Sequence, residues 1–99
     1  MLLDVGLHTR GMTFAQAVDQ FVTELHVDRA NAEAEVRRYC AEPAQPLCYA
    51  VGRREILELR QDFHAARATT FTLRAFHDAL LRYGGLPVAL IRWGLGLSA

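Results

Sequence analysis

Prolines and glycines divide this 99-residue chain into short segments, and within each segment apolar residues recur at every third or fourth position. The clearest example follows Thr13, where the large apolar side chains would share one face of a helix: Phe14, Val18, Phe21, Val22 and Leu25. No segment shows the sustained alternation of apolar and polar residues that a half-buried strand requires. The pattern therefore predicts an all-α fold of about five helices.

Capping residues predict where these helices begin. Thr13 and Gln16 have the spacing of a capping box, in which each side chain accepts a hydrogen bond from the other residue's backbone N–H. Asp28 is a suitable N-cap for a helix that runs to about Ala41, and Thr72 can cap a later helix.

A long helix is expected from about Pro46 to Ala68, since Pro43 and Pro46 end the helix before it. Gly52 lies inside this helix, where glycine costs about 1 kcal/mol relative to alanine. It indicates either the close approach of another backbone or a break into two shorter helices. Gly84 and Gly85 are expected to end the next helix, and Pro87 suits the first turn of a last short one.

Composition limits the possible classes of protein. Hydrophobic residues make up 52% of the chain, which is enough for a core, and we expect a single domain over residues 1–99. The net charge of +0 disfavours a nucleic-acid partner. The longest apolar stretch, Leu86–Leu97, is too short to span a membrane, and the N-terminus does not resemble a signal peptide. Cys40 and Cys48 fit a cytoplasmic protein whose thiols pack between helices rather than form a disulfide.

Asp4 and His8 lie four residues apart and would share a helix face, as a metal-binding or proton-transfer pair or as a surface hydrogen bond. Zinc needs three or four ligands at recognisable spacing, and the sequence contains no H-E-x-x-H, C-x-x-C or H-x-H motif. We therefore assign no metal ligand in this chain.

A second candidate is the proline-flanked stretch 43–52, where Gln45 and Tyr49 lie four residues apart at a helix start. An amide and a phenol held there could polarise a carbonyl or stabilise an oxyanion. The alternative is a tyrosine that packs in the core with its hydroxyl hydrogen-bonded.

These residues resemble the C-terminal part of a bacterial family of unknown function, DUF885. The matching stretches keep the same order and spacing over almost the whole chain: Asp4–Thr9, Gly11–Thr13, Gln16–Ala17, Glu35–Val36, Arg38–Tyr39, Pro43, Gln45, Leu47, Tyr49, Gly52, Ile56–Arg60, Phe76–Leu81, Gly84 and Leu86–Pro87. The chain departs from the family pattern at three positions. Ala44 replaces a glycine, Pro46 replaces an alanine, and Glu42 replaces a larger apolar residue.

The resemblance implies a helical zinc metallopeptidase-like protein, in the same broad group as carboxypeptidase Taq and oligoendopeptidase F. In such a protein the H-E-x-x-H motif and a further glutamate ligand lie upstream, so zinc is expected only in that upstream part and no cofactor in this chain. The resemblance further implies that His8 and Tyr49 act catalytically, by steadying the tetrahedral oxyanion and the substrate backbone. Gln45, Arg38 and Asp4 would bind substrate.

Two functions are therefore considered. In the first, the chain is the C-terminal helical segment of a peptide hydrolase, which supplies cleft residues but is inactive alone. Because Met1–His8 looks like the end of a longer helix, the chain would then be a fragment or one half of a split protein. In the second, it is a free-standing helical protein–protein interaction module without enzymatic activity.

The expected partners are an upstream metallopeptidase-like half or a second copy of the chain, with a peptide substrate only in a complete enzyme. A contiguous exposed apolar patch usually marks an interface. The candidate patch combines apolar residues from both ends of the chain: Leu2, Leu3, Val5, Leu7, Leu90, Ile91, Trp93, Leu95 and Leu97.

Overall fold

A computed structural model describes residues 1–97, and these residues form helices joined by short turns, with no strand among them. The elements in chain order are α1 (Leu2–Thr9), α2 (Phe14–Leu25), α3 (Arg29–Ala41), α4 (Leu47–Arg67), a 3₁₀ turn (Ala68–Thr70), α5 (Leu73–Leu81) and α6 (Val88–Gly94). The predicted all-α class is confirmed. The helix count exceeds the expected number by one because the N-terminal segment forms a helix of its own. None of the described helices is long and apolar enough to cross a membrane.

The three predicted N-caps are confirmed. The Thr13 hydroxyl accepts a hydrogen bond from the Gln16 backbone N–H at 3.2 Å, and the Gln16 side chain accepts one from the Thr13 N–H at 2.9 Å. Asp28 caps α3 by accepting from the Asn31 N–H at 3.1 Å. Thr72 caps α5 in the same way, through the N–H of the residue three positions on. Local capping chemistry thus sets the start of three helices.

Both expectations for Gly52 are wrong. Helix α4 runs unbroken through this position from Leu47 to Arg67. A Cβ atom placed on Gly52 would meet no described atom within 4 Å, so no backbone approaches closely. The physical reason is that one glycine costs only about 1 kcal/mol relative to alanine, which is too little to break a helix of 21 residues.

The chain divides into two compact units, and the first is Met1–Ala50. In this unit α1, α2 and α3 pack against one another around a core of buried apolar residues: Leu3, Ala17, Val18, Phe21, Ala32 and Val36. The Met12 side chain packs closely over Gly6, since a Cβ there would lie only 2.8 Å from Cε of Met12. This unit contains all the site residues predicted from the sequence.

The second unit begins at Val51. Its core consists of Leu59 and Phe63 from α4, Phe76 from α5 and Ile91 from α6. The rings of Phe63 and Phe76 meet nearly edge to face, with centroids 5.6 Å apart. An ion pair between Arg92 and Asp62 also joins α6 to α4.

Part of the predicted apolar patch lies inside these cores instead. Leu3 and Ile91 are core residues, with 9% and 2% of their surface exposed. Leu7, Leu95 and Leu97 pack against the cores. Burial on each helix is set by the face that the neighbouring helices cover, which an apolar stretch alone does not reveal. The patch residues that do remain exposed are Leu2, Leu90 and Trp93.

The cysteines also differ from expectation. Cys40 and Cys48 are both free, but both are exposed rather than packed between helices. Each lies on a helix face that the described residues leave uncovered, so neither thiol contributes to a core.

Candidate functional site

Helix α1 places Asp4 and His8 on one face, as their spacing predicts. Asp4 Oδ1 lies 3.5 Å from His8 Nε2, and the exposed fractions of the two side chains are 4% and 30%. Asp4 is therefore not part of a surface hydrogen bond, which was one of the alternatives. Burying a carboxylate is costly unless other groups bond to it, so its partners define the local structure.

The second partner of Asp4 comes from the turn between α3 and α4. The backbone N–H of Ala44 donates a hydrogen bond to Asp4 Oδ1 at 3.3 Å. Ala44 has a φ of 68°, in the left-handed region that favours glycine. The buried carboxylate thus joins α1 to a turn that lies 40 residues further along the chain.

His8 has a second partner in α3. Its Nε2 lies 3.0 Å from the backbone carbonyl oxygen of Tyr39. Two oxygen atoms, from Asp4 and Tyr39, therefore face the same ring nitrogen. Within residues 1–97, the other ring nitrogen, Nδ1, makes no hydrogen bond.

Arg38 fixes the side chain of Gln45. Its Nη1 donates to Gln45 Oε1 at 2.7 Å, and its Nη2 donates to Glu35 Oε2 at 2.7 Å. The hydrogen bond with Glu35 is the main cause that raises the pKa of Arg38, while partial burial acts against it. Since Arg38 occupies the Gln45 carbonyl oxygen, the Gln45 amide nitrogen is the group left to face a ligand. This nitrogen donates a weak hydrogen bond to Cys48 Sγ, at 3.9 Å.

Tyr49 lies in the first turn of α4, and 67% of its surface is exposed. The alternative of a core tyrosine with a bonded hydroxyl is therefore wrong. Pro46, just before α4, is buried, whereas Tyr49 lies on an exposed face of the helix. Its phenol is close enough to Arg38 to contribute to the raised pKa of that guanidinium.

The tyrosine that packs into this unit is Tyr39. Its ring centroid lies 5.8 Å from that of Phe21, and the Arg38 guanidinium lies 5.2 Å from the ring centroid. Burial is the largest cause that raises the pKa of Tyr39, followed by the negative charge of Glu35.

Two groups of the site, the Glu35 carboxylate and the Tyr39 carbonyl, were not predicted from the sequence. The i, i+3 spacing of Glu35 and Arg38 is a signal that could have identified the first. The second could not be identified, because every residue has a backbone carbonyl and the sequence does not show which one His8 contacts.

The site thus brings together Asp4, His8, Arg38 and Gln45, with Tyr49 exposed on the adjoining turn of α4. It offers a histidine ring nitrogen, an amide N–H and a phenol, which can bind and polarise a polar ligand. The other histidines lie outside it, on α2's C-terminal cap, α4 and α5. In the part of the chain that the structure describes, no group of three or more His, Cys, Asp or Glu residues is placed to hold a metal ion.

The chain is similar to a protein family and to a solved structure. The profile of a family described as "Bacterial protein of unknown function (DUF885)" matches residues 1–94. The chain is also similar to a solved structure from Shewanella oneidensis, described as a "putative lipoprotein of unknown function". The TM-score is 0.78 and the sequence identity is 36%. The match covers 95% of this chain but only 17% of the Shewanella oneidensis chain. None of the curated proteins is similar to the chain.

The profile match extends over all six helices, from α1 to the last residue of α6. The chain therefore belongs to the bacterial DUF885 family.

Proposed function

We propose that this chain supplies cleft residues to a zinc-metallopeptidase-like peptide hydrolase and is inactive alone. In this proposal Tyr49 and His8 contact the substrate or the developing oxyanion. Gln45 presents its amide to the substrate, while Arg38 and Asp4 act chiefly by holding Gln45, His8 and the α3–α4 turn in place. The zinc ion and the H-E-x-x-H motif belong to another part of the protein.

One observation carries the proposal. The buried carboxylate of Asp4 bonds to the α3–α4 turn and lies beside His8, so two distant parts of the sequence are held together, and the exposed Tyr49 lies on the helix that follows this turn. Isolated surface residues would not need such an anchor, since burying a carboxylate costs several kcal/mol unless it is well bonded. The chain covers only 17% of the similar Shewanella oneidensis structure, which is consistent with a segment of a larger enzyme.

The test uses a chimera. The matching segment of a DUF885 protein that carries the H-E-x-x-H motif would be replaced by this chain, and zinc content and peptide cleavage would be measured. We expect the chimera to bind zinc and cleave peptides, and this chain by itself to do neither. About one zinc per chain in the isolated protein would contradict the proposal. So would a folded, zinc-loaded chimera that cleaves no peptide while its parent does.

A second candidate, the interaction module, is favoured by one feature of the first unit. A groove of about 260 Å³ lies between α1 and α2 and has mainly apolar walls, formed by Met1, Leu2, Leu3, Phe21, Leu25 and Tyr39, with Gln20 and Glu24 as its polar lining. Leu2 and Leu25 remain 70% and 59% exposed. Exposed apolar grooves of this kind commonly receive a partner's side chains. A second copy of the chain would be the occupant.

A cytoplasmic location stays a prediction, based on the few cysteines. The similar Shewanella oneidensis protein is described as a putative lipoprotein, so attachment to a membrane is the alternative to test. Cell fractionation of the native protein would decide between the two locations.

A further inference from the structure

The surroundings of His8 determine which of its ring nitrogens carries the proton. Its Nε2 lies 3.0 Å from the Tyr39 carbonyl oxygen and 3.5 Å from Asp4 Oδ1. A carbonyl oxygen and an ionised carboxylate can only accept hydrogen bonds. A neutral ring with its lone pair on Nε2 would turn that lone pair toward both acceptors, so the favoured neutral tautomer carries its proton on Nε2.

The consequence concerns Nδ1. In the neutral Nε2–H tautomer this atom holds the lone pair, and within residues 1–97 it has no hydrogen-bond partner. The His8 side chain as a whole is 30% exposed, so part of the ring is open to a ligand. We propose that His8 is locked as the Nε2–H tautomer and that its Nδ1 serves as a hydrogen-bond acceptor for a backbone N–H of a peptide ligand.

This inference rests on the proposed function for the identity of the ligand, and it refines the roles within the site. Neutral His8 cannot donate to an oxyanion through Nδ1. The Tyr49 hydroxyl can donate, and it is exposed on the neighbouring element. Tyr49 would thus donate to the oxyanion, and His8 would accept a hydrogen bond from the substrate backbone.

Asp4 is a positioning residue in this arrangement. It lies beside the nitrogen of His8 that faces the interior, and it bonds to Ala44 N–H at the same time. The other charged or titratable groups near this part of the site are Glu35 and Arg38 on α3 and Tyr49 on α4. Each of them affects the pKa of Tyr39.

The tautomer can be measured directly in the isolated chain. Nitrogen-15 NMR at mildly alkaline pH distinguishes a ring nitrogen that carries a proton from one that does not. We expect the protonated-type shift at Nε2 and the unprotonated-type shift at Nδ1 of His8. The reverse assignment, or averaged shifts that show rapid exchange between tautomers, would overturn the inference.

A pair of variants tests the same point through stability. The amide nitrogen of glutamine can reach the position of Nε2, whereas that of asparagine reaches only the position of Nδ1. His8→Gln should therefore keep the bond to the Tyr39 carbonyl and remain close to the wild-type melting temperature. His8→Asn should lose about 4–8 °C, the shift expected for one hydrogen bond in a domain of this size. Equal melting temperatures for the two variants would contradict a structural role for Nε2.

The acceptor role of Nδ1 is tested in the active chimera. His8→Gln should raise KM about tenfold or more with little change in kcat, because a bond to the substrate backbone forms in both the ground state and the transition state. A loss confined to kcat would overturn the acceptor role and indicate a donor to the transition state. An inactive chimera would count against the proposed function and its peptide ligand, while the NMR result would still decide the tautomer.

Discussion

At the scale of single residues, Asp4 is the side chain that links α1 to the distant α3–α4 turn in the first unit. It is the charged residue found buried among those described, with 3% of its surface exposed. Its hydrogen bond from the Ala44 N–H and its proximity to His8 offset part of the cost of removing its charge from water. Sequence spacing predicted that Asp4 and His8 share a helix face. It could not predict the bond to Ala44, because that contact depends on how α1 packs against a distant turn.

Ala44 gives the first prediction. Its φ of 68° is unfavourable for a residue with a Cβ, and glycine is the residue that the sequence resemblance led us to expect at this position. The left-handed conformation costs a non-glycine residue about 1–2 kcal/mol, while glycine loses more chain entropy on folding, by about 0.5–1 kcal/mol. Ala44→Gly should therefore stabilise the fold by about 0.5–1 kcal/mol, measured by chemical denaturation.

The matched control for this change is Ala50→Gly. Ala50 is an exposed residue in the regular part of α4, where glycine should destabilise by about 1 kcal/mol. If both substitutions destabilised the protein to the same extent, the left-handed conformation of Ala44 would be refuted.

At the scale of elements, the sequence predicted most of the helices because their signals are local. Thr13, Asp28 and Thr72 act on backbone groups within three residues of themselves. Gly52 was misjudged because the sequence shows the cost of glycine but not what surrounds it. The length of α4 and the open space at Gly52 are properties of the folded structure.

Asp28 gives a prediction for pH dependence. Hydrogen bonds from Asn31, first from its backbone N–H, hold the pKa of Asp28 below its ordinary value of 3.8. A carboxylate with a lowered pKa in the folded state contributes stability above its ordinary pKa. That contribution is lost as the pH falls through the folded-state value. Asp28→Asn keeps a good N-cap that does not titrate.

The melting temperature of the wild type should therefore fall more steeply than that of Asp28→Asn as the pH is lowered from about 5 through 3.8 and below. The other carboxylates are the same in both proteins, so the difference between the two curves isolates Asp28. Parallel curves over this range would show that the cap does not depend on the charge of Asp28.

At the scale of the whole molecule, the sequence predicted the fold class and the family but not the distribution of apolar surface. Leu3 and Ile91 were assigned to an interface and lie in cores. Tyr49 is exposed in the structure, whereas its place in a proline-flanked helix start was compatible with either burial or exposure. Which face of each helix is covered depends on contacts between elements, and the sequence specifies these only indirectly.

Association is the prediction that belongs to this scale. We expect the purified chain to self-associate through the apolar groove of the first unit, so its sedimentation coefficient should rise with concentration. Leu2→Glu places a charge at this groove and should weaken association at least about tenfold, since burying a leucine contributes about 1.5–3 kcal/mol. Leu81→Glu changes an equally exposed leucine of the second unit and is the control. A monomer at every concentration would contradict the prediction.

Turnover of a peptide by the chimera with Tyr49→Phe tests whether this chain supplies a catalytic residue to the cleft. We expect kcat to fall about 10²–10³-fold while KM changes little, because a phenol that donates to the oxyanion acts in the transition state. Tyr83→Phe removes a hydroxyl from a half-buried tyrosine of the second unit and should leave kcat near that of the parent chimera. An unchanged kcat in Tyr49→Phe would contradict the claim that this chain supplies a catalytic residue to the cleft.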